Sequence, residues 1–170
     1  ANLVVDLFLS NDDDTIDTII NTMNIHNVKR KKIEQENLDL IDIKKYENKN
    51  VIFIFNKKFH EGVIGIIAAK LSKKFSKPCF IMTESHGLLK CSIRSQNNIN
   101  INKIIGKLIA NKIIISGGGH DEAGGFSAKK EYLLDIEKFI NKEYENLDLI
   151  DYSYFDTFTI FPKKDSEIID

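Results

Sequence analysis

Residues 116–127, SGGGHDEAGGFS, hold five of the chain's nine glycines, and what this stretch forms fixes how the elements on either side connect. Three consecutive glycines, Gly117, Gly118 and Gly119, lose much conformational freedom on ordering. A chain that keeps them needs positive φ there, or close approach by another group. The apolar run before them, residues 113–115, reads as the end of a strand. His120-Asp121-Glu122-Ala123 after them reads as the first turn of a helix. A strand running through glycines into a helix start leaves several backbone N–H groups unpaired, which is the chemistry of an anion site with phosphate as its guest. The stretch reads equally as a plain tight connection between strands, because turns use glycine for their own geometry. No Lys-Ser or Lys-Thr follows the glycines and no GxGxxG spacing occurs, so the common nucleotide-loop patterns are excluded.

On either side of this stretch the apolar pattern alternates between strand and helix. Residues 51–55, VIFIF, form a continuous apolar run expected of a strand buried on both faces. Residues 62–75 read as a helix in which Gly65, Ala68 and Ala69 permit close packing on a sheet, with Pro78 as a stop. Residues 79–83 form the next strand, and the turn 84–87 leads into 88–95, LLKCSIRS. Alternation there puts Leu89, Cys91 and Ile93 on one face and Lys90, Ser92 and Arg94 on the other. A lysine, a hydroxyl and an arginine at two-residue spacing suit a strand facing an anion, and equally an ordinary solvated sheet face. A helix over 101–111, the strand 113–115, a short strand over 126–128 and a helix over 131–145 complete the order β-α-β-β-α-β-β-α. That order predicts an α/β fold, a mixed central sheet covered by helices.

Before residue 50 the pattern changes. Residues 1–10 carry a dense apolar set that reads as the last packed element of something upstream. Asn11 and Asp12–14 supply helix caps. From Thr15 the apolar residues Ile16, Ile19, Ile20, Met23, Val28 and Ile33 recur at helical spacing, predicting a long connecting helix broken near 24–27. His26 and Arg30 on it read as surface residues. The alternating aromatic tail 148–161 reads as a strand, and residues 165–170 as a fraying end.

Composition narrows the class. A formal charge of −1 gives no general attraction to nucleic acid, so any such surface must come from local arrangement. Cys79 and Cys91 lack metal spacing and fit a reducing, cytoplasmic setting. No apolar run reaches membrane-spanning length and no signal peptide is visible, so no membrane partner is expected. Lysine is abundant, whereas arginine occurs only at Arg30 and Arg94, the two places where a planar fork is available.

Three segments line up in order: residues 60–66 (HEGVIGI), residues 87–95 (GLLKCSIRS), and Gly117-Gly118-Gly119-His120 followed by Ala123-Gly124-Gly125. Together they resemble the accessory domain that follows the catalytic domain in DHH-family phosphoesterases, in particular the RecJ family of single-strand-specific exonucleases. The resemblance implies four segments: the end of an upstream catalytic domain over 1–14, a connecting helix over 15–48, the DHH-associated accessory domain over 49–146, and entry into an OB-like domain or tail over 147–170. It implies a 5′–3′ exonuclease on single-stranded DNA whose Mn²⁺ or Mg²⁺ ions sit on the catalytic domain of the same chain. This segment has no DHH triplet, so no metal ligand and no cofactor is expected in it, and no hydrolysis by it alone.

Carried over by residue, Arg94 would grip a phosphate bidentately and Ser92 and Ser95 would donate hydroxyl hydrogen bonds. The backbone of Gly117, Gly118 and Gly119 would cradle a phosphate, and His120 would act catalytically by stabilising charge on it. His60 is a further nucleic-acid-binding candidate. Other members of the same family act on short RNA or cyclic dinucleotides, which is the second reading. A protein-docking module that touches no nucleic acid is the third.

Overall fold

The computed structural model describes residues 2–96 and 99–145. The strand expected over 148–161 lies outside the described residues. Two helices come first, α1 (Asn2–Leu9) and α2 (Asp13–Asp39), followed by a 3-10 turn at Ile43–Tyr46. The sheet domain then runs β1 (Ile52–Phe55), α3 (Ile64–Phe75), β2 (Cys79–Ser85), β3 (Leu88–Arg94), α4 (Ile101–Ala110), β4 (Ser116–Gly119), β5 (Ala123–Ala128) and α5 (Leu133–Glu143). The expected order of elements is therefore found, as a mixed sheet with helices and a long helix ahead of it. Strand order is β1-β2-β3-β5-β4, with β1 parallel to β2 and every other pair antiparallel.

Each face of the sheet has its own core. Val51 and Phe53, Phe80 and Met82, and Leu89, Cys91 and Ile93 pack against Ile101, Ile105 and Leu108 of α4 and Ile136 and Ile140 of α5. On the other face Ile52, Ile54, Cys79 and Ile81 pack against Ile64, Ile67, Ala68 and Leu71 of α3. The continuous apolar run at β1 thus feeds both cores, as a central buried strand must. Burial pushes the Cys79 and Cys91 thiols well above their usual range, which keeps them protonated and inert. The β2–β3 hairpin closes on His86 and Gly87, both at positive φ, the two-residue geometry that matches strand twist.

Several local expectations are corrected. Residues 113–115 are not a strand: the ladder begins at Ser116, and the glycines themselves are β4. No helix starts at His120, because residues 120–122 turn the chain into β5, which begins at Ala123 rather than Phe126. Among the described glycines only Gly87 has positive φ, so close approach and not left-handed backbone explains the glycine run. The break expected near 24–27 is absent, since Asn24 and Asn27 weaken a helix without ending it, and α2 is continuous. Of the apolar side chains of α1, expected to pack on something upstream, Phe8 is 82% exposed and Leu9 75%.

One buried carboxylate ties α2 to the sheet domain. Glu34 accepts from Arg30 Nη1 at 2.9 Å and pairs with Lys70 of α3. The hydrogen bond from Lys70, more than the burial that opposes it, holds the Glu34 carboxyl below its ordinary value of 4.5. A depressed folded-state value means that the pair stabilises the fold above pH 4.5 and loses that contribution as pH falls through the lower folded value. Glu34→Gln is expected to destabilise the chain by about 1 kcal/mol at neutral pH. In urea unfolding its gap to the parent should close well below pH 4.5, and a gap independent of pH would contradict this.

Candidate nucleic-acid interface

The register sets out the candidate site row by row. In antiparallel pairs, residues directly opposite one another project from the same face. Lys90 lies opposite Ser127 and Ser127 opposite Ser116, while Ser92 lies opposite Gly125 and Gly125 opposite Gly118. Arg94 lies opposite Ala123, whose carbonyl accepts from the His120 backbone N–H at 2.7 Å. The strips from β3, β5 and β4 thus form one surface of cations, hydroxyls and bare backbone. By strand spacing its Arg94 and His120 rows stand about 10 Å apart.

On this face the helical cover stops at α3. A Cβ added to Gly65 would stand 3.1 Å from Ser92 Oγ and 3.5 Å from Arg94 Nη2, so a bare helix edge is what lets both side chains lie beside α3. Beyond that edge opens a cleft of about 450 Å³, lined by Gly62 and Gly65 from the helix side and by Lys90, Ser92, Ser116 and Ser127 from the sheet. Lys90 Nζ donates to Ser127 Oγ at 3.0 Å, and Arg94 Nη1 donates to the Ile93 carbonyl at 2.7 Å. Glu61 at the mouth is the only carboxylate among the lining residues. Arg94 borders the cleft through Gly65, and His120 lies beyond it at the exposed hairpin tip.

The hairpin tip is pinned from two directions. The Asp121 carbonyl accepts from the Ile101 N–H at 2.8 Å, its carboxylate accepts from Asn100 Nδ2 at 2.7 Å, and the Glu122 carbonyl accepts from the Ser95 N–H at 2.9 Å. Asp121 is thereby directed to the start of α4, where its negative charge suits the helix dipole. The Ser95 hydroxyl is buried and donates to the Ile99 carbonyl at 2.9 Å, so it sits behind the open face and not on it. Gly117 and Gly124 face α4, where an added Cβ would crowd Ile105. Gly118 has nothing within 4 Å and is the member of the triple that lies on the open side. As an edge strand, β4 also leaves one row of N–H groups without a strand partner.

His60 occupies a different place from the other candidates. It caps the 3-10 turn Glu61–Val63, with Nδ1 accepting from the Gly62 N–H at 3.0 Å, and lines a second cleft against α2. Sequence reading put Lys90 on this face without carrying a role over to it, and it did not name Ser116 and Ser127, which frame the glycine stretch. Their two-residue offset from Gly118 and Gly125 is the signal for that face. Among the described residues no cluster of three or more His, Cys, Asp or Glu could hold a metal ion. No helix there is long and apolar enough to cross a membrane.

Residues 48–146 match the DHHA1 domain family. The chain belongs to that family. Over 116 residues, 67% of its length, it is 28% identical to the single-stranded-DNA-specific exonuclease RecJ of Bacillus subtilis (strain 168), and that match spans 13% of the relative. The crystal structure of RecJ from Thermus thermophilus with Mn²⁺ has the same fold, with a TM-score of 0.76 at 20% identity over 86% of this chain and 22% of that one. The C-Ala domain of Aquifex aeolicus alanyl-tRNA synthetase shares it less closely, with a TM-score of 0.50 at 13% identity over 57% of this chain and 92% of that one. The chain is a RecJ-like DHHA1 accessory domain that spans a small part of the exonuclease it matches.

The DHHA1 hairpin separates two kinds of glycine. A Cβ on Gly119 would run into the Ala123 carbonyl oxygen and stand 2.5 Å from Gly124 Cα, whereas one on Gly118 meets nothing. Gly119→Ala is expected to cost roughly 1–3 kcal/mol of stability, because backbone must move to admit it, and Gly118→Ala less than about 0.5 kcal/mol. Chemical denaturation of the two variants checks this; equal losses would contradict the register described.

Proposed function

We propose that the open face of β3, β5 and β4 grips the phosphates of a single-stranded DNA backbone, as the substrate-holding part of a RecJ-like 5′–3′ exonuclease. The observation that carries this reading is the row arrangement. Lys90, Ser92 and Arg94 share a face with the hydroxyls of Ser116 and Ser127 and the bare backbone of Gly118, and no carboxylate lies on those rows. Such a surface supplies donors and positive charge to a phosphate, with Glu61 the one carboxylate among the residues lining the cleft. The named activity of the Bacillus subtilis relative supports DNA as the polyanion.

Each group has a distinct role in this reading. Arg94 offers the free edge of its guanidinium bidentately, and Ser92 adds a hydroxyl donor. Unpaired N–H groups along the glycine edge cradle the next phosphate, with His120 at the tip to hydrogen-bond it and stabilise developing charge. Ser95 holds the end of β3 to the hairpin, and His60 holds the turn that forms the opposite wall. Hydrolysis itself belongs to a catalytic domain carrying Mn²⁺ or Mg²⁺, outside residues 15–146. The exposed Val4, Val5, Phe8 and Leu9 of α1 suit packing against that domain.

Fluorescence anisotropy of the chain with labelled single-stranded DNA at several salt concentrations tests the reading. The logarithm of affinity should fall linearly with the logarithm of salt, and Arg94→Ala should lower the slope by about one. Arg94→Lys should recover the charge but not the bidentate grip. Binding indifferent to salt and to Arg94→Ala would overturn the proposal, and a preference for dinucleotides over longer strands would favour a short-substrate member of the family.

A further inference from the structure

The second cleft, between α2 and the turn preceding α3, has a volume of about 340 Å³. Resting on the reading above, we infer that it is a nucleotide subsite that takes the base and phosphate of a neighbouring residue of the same strand. The two clefts meet at Gly62, which lines both, so a chain lying on the sheet face reaches the second cleft by crossing a residue with no side chain.

The lining suits a nucleotide better than a bare phosphate. Ile33 and Val63 make an aliphatic floor, and the imidazoles of His26 and His60 provide two flat rings beside it. His26, Lys29, Arg30 and Ile33 follow the spacing i, i+3, i+4, i+7, which gathers them on one stripe of α2. His60 Nδ1 already accepts from Gly62, so the neutral ring carries its proton on Nε2 and presents a donor at its far edge. Lys29 and Arg30 supply the positive rim, and no carboxylate lines the cleft. Glu34 lies next to Arg30 and also pairs with Lys70, so two cations share one buried carboxylate. A base on the floor with its phosphate at the rim uses each of these groups, as stacking platforms for single strands do.

Three probes separate this subsite from the first cleft: octathymidylate, an octamer of abasic tetrahydrofuran phosphates with the same charge, and the dinucleotide pTpT. His26 and Lys29 are exposed, so their replacement should leave the fold intact. His26→Ala should weaken octathymidylate binding by roughly tenfold and leave the abasic octamer unchanged. Lys29→Ala should weaken both octamers and lower the salt slope by about one, with pTpT affected by neither. If Arg94→Ala weakens all three probes while His26→Ala and Lys29→Ala weaken none, the subsite is wrong and the first-cleft grip stands. If Arg94→Ala weakens none, the grip itself is wrong.

Discussion

The open face depends on one contact, that between Gly65 of α3 and the side chains of Ser92 and Arg94 on β3. Helix α3 packs over β2 and β3, and the cleft opens beyond its Gly65 edge. Because the residue at that edge has no Cβ, a hydroxyl and a guanidinium fit beside the helix instead of being forced outward. The opposite face of β3 and β5 is covered by α4 and α5. The strip is therefore apolar and covered behind β3 and β5, and polar and accessible in front.

The glycine hairpin serves that asymmetry. Gly117 and Gly124 let α4 lie close against the sheet, Gly119 lets the two strands close at the tip, and Gly118 leaves the open face bare. The tip is fixed to α4 through Asp121 and to the end of β3 through Glu122 and Ser95. His120 is thus carried on a turn whose neighbours are held from both sides, which limits where its ring can go. The chain's two arginines have different partners. Arg94 keeps part of its fork free beside the cleft, whereas Arg30 donates to both Glu34 and Asn27 on α2.

Much of this is legible in the sequence, for physical reasons. Alternation over 88–95 assigns Leu89, Cys91 and Ile93 to the core and Lys90, Ser92 and Arg94 to the other face without any tertiary information. The unbroken apolar run at β1 and the helical period of α3, α4 and α5 are equally local signals. The glycine stretch is harder to read. Glycine-rich sequence carries no side-chain periodicity, so its strand character appears only once Phe126 and Ile105 are known to press against it. Exposure of α1 is also hidden, because apolar content predicts burial but does not say against what. The second cleft escapes notice because His60 and His26 are far apart in the chain and meet only through the packing of α2 on the turn before α3.

Amide chemical-shift mapping during titration with octathymidylate shows whether a single strand lies on the polar side of the β3-β5-β4 strip. The proposed grip predicts that the largest shifts fall on Ser92, Arg94, Gly118, His120 and Gly125, and that α4 and α5 stay quiet. Shifts concentrated on α4 and α5, with the strip unchanged, would contradict it.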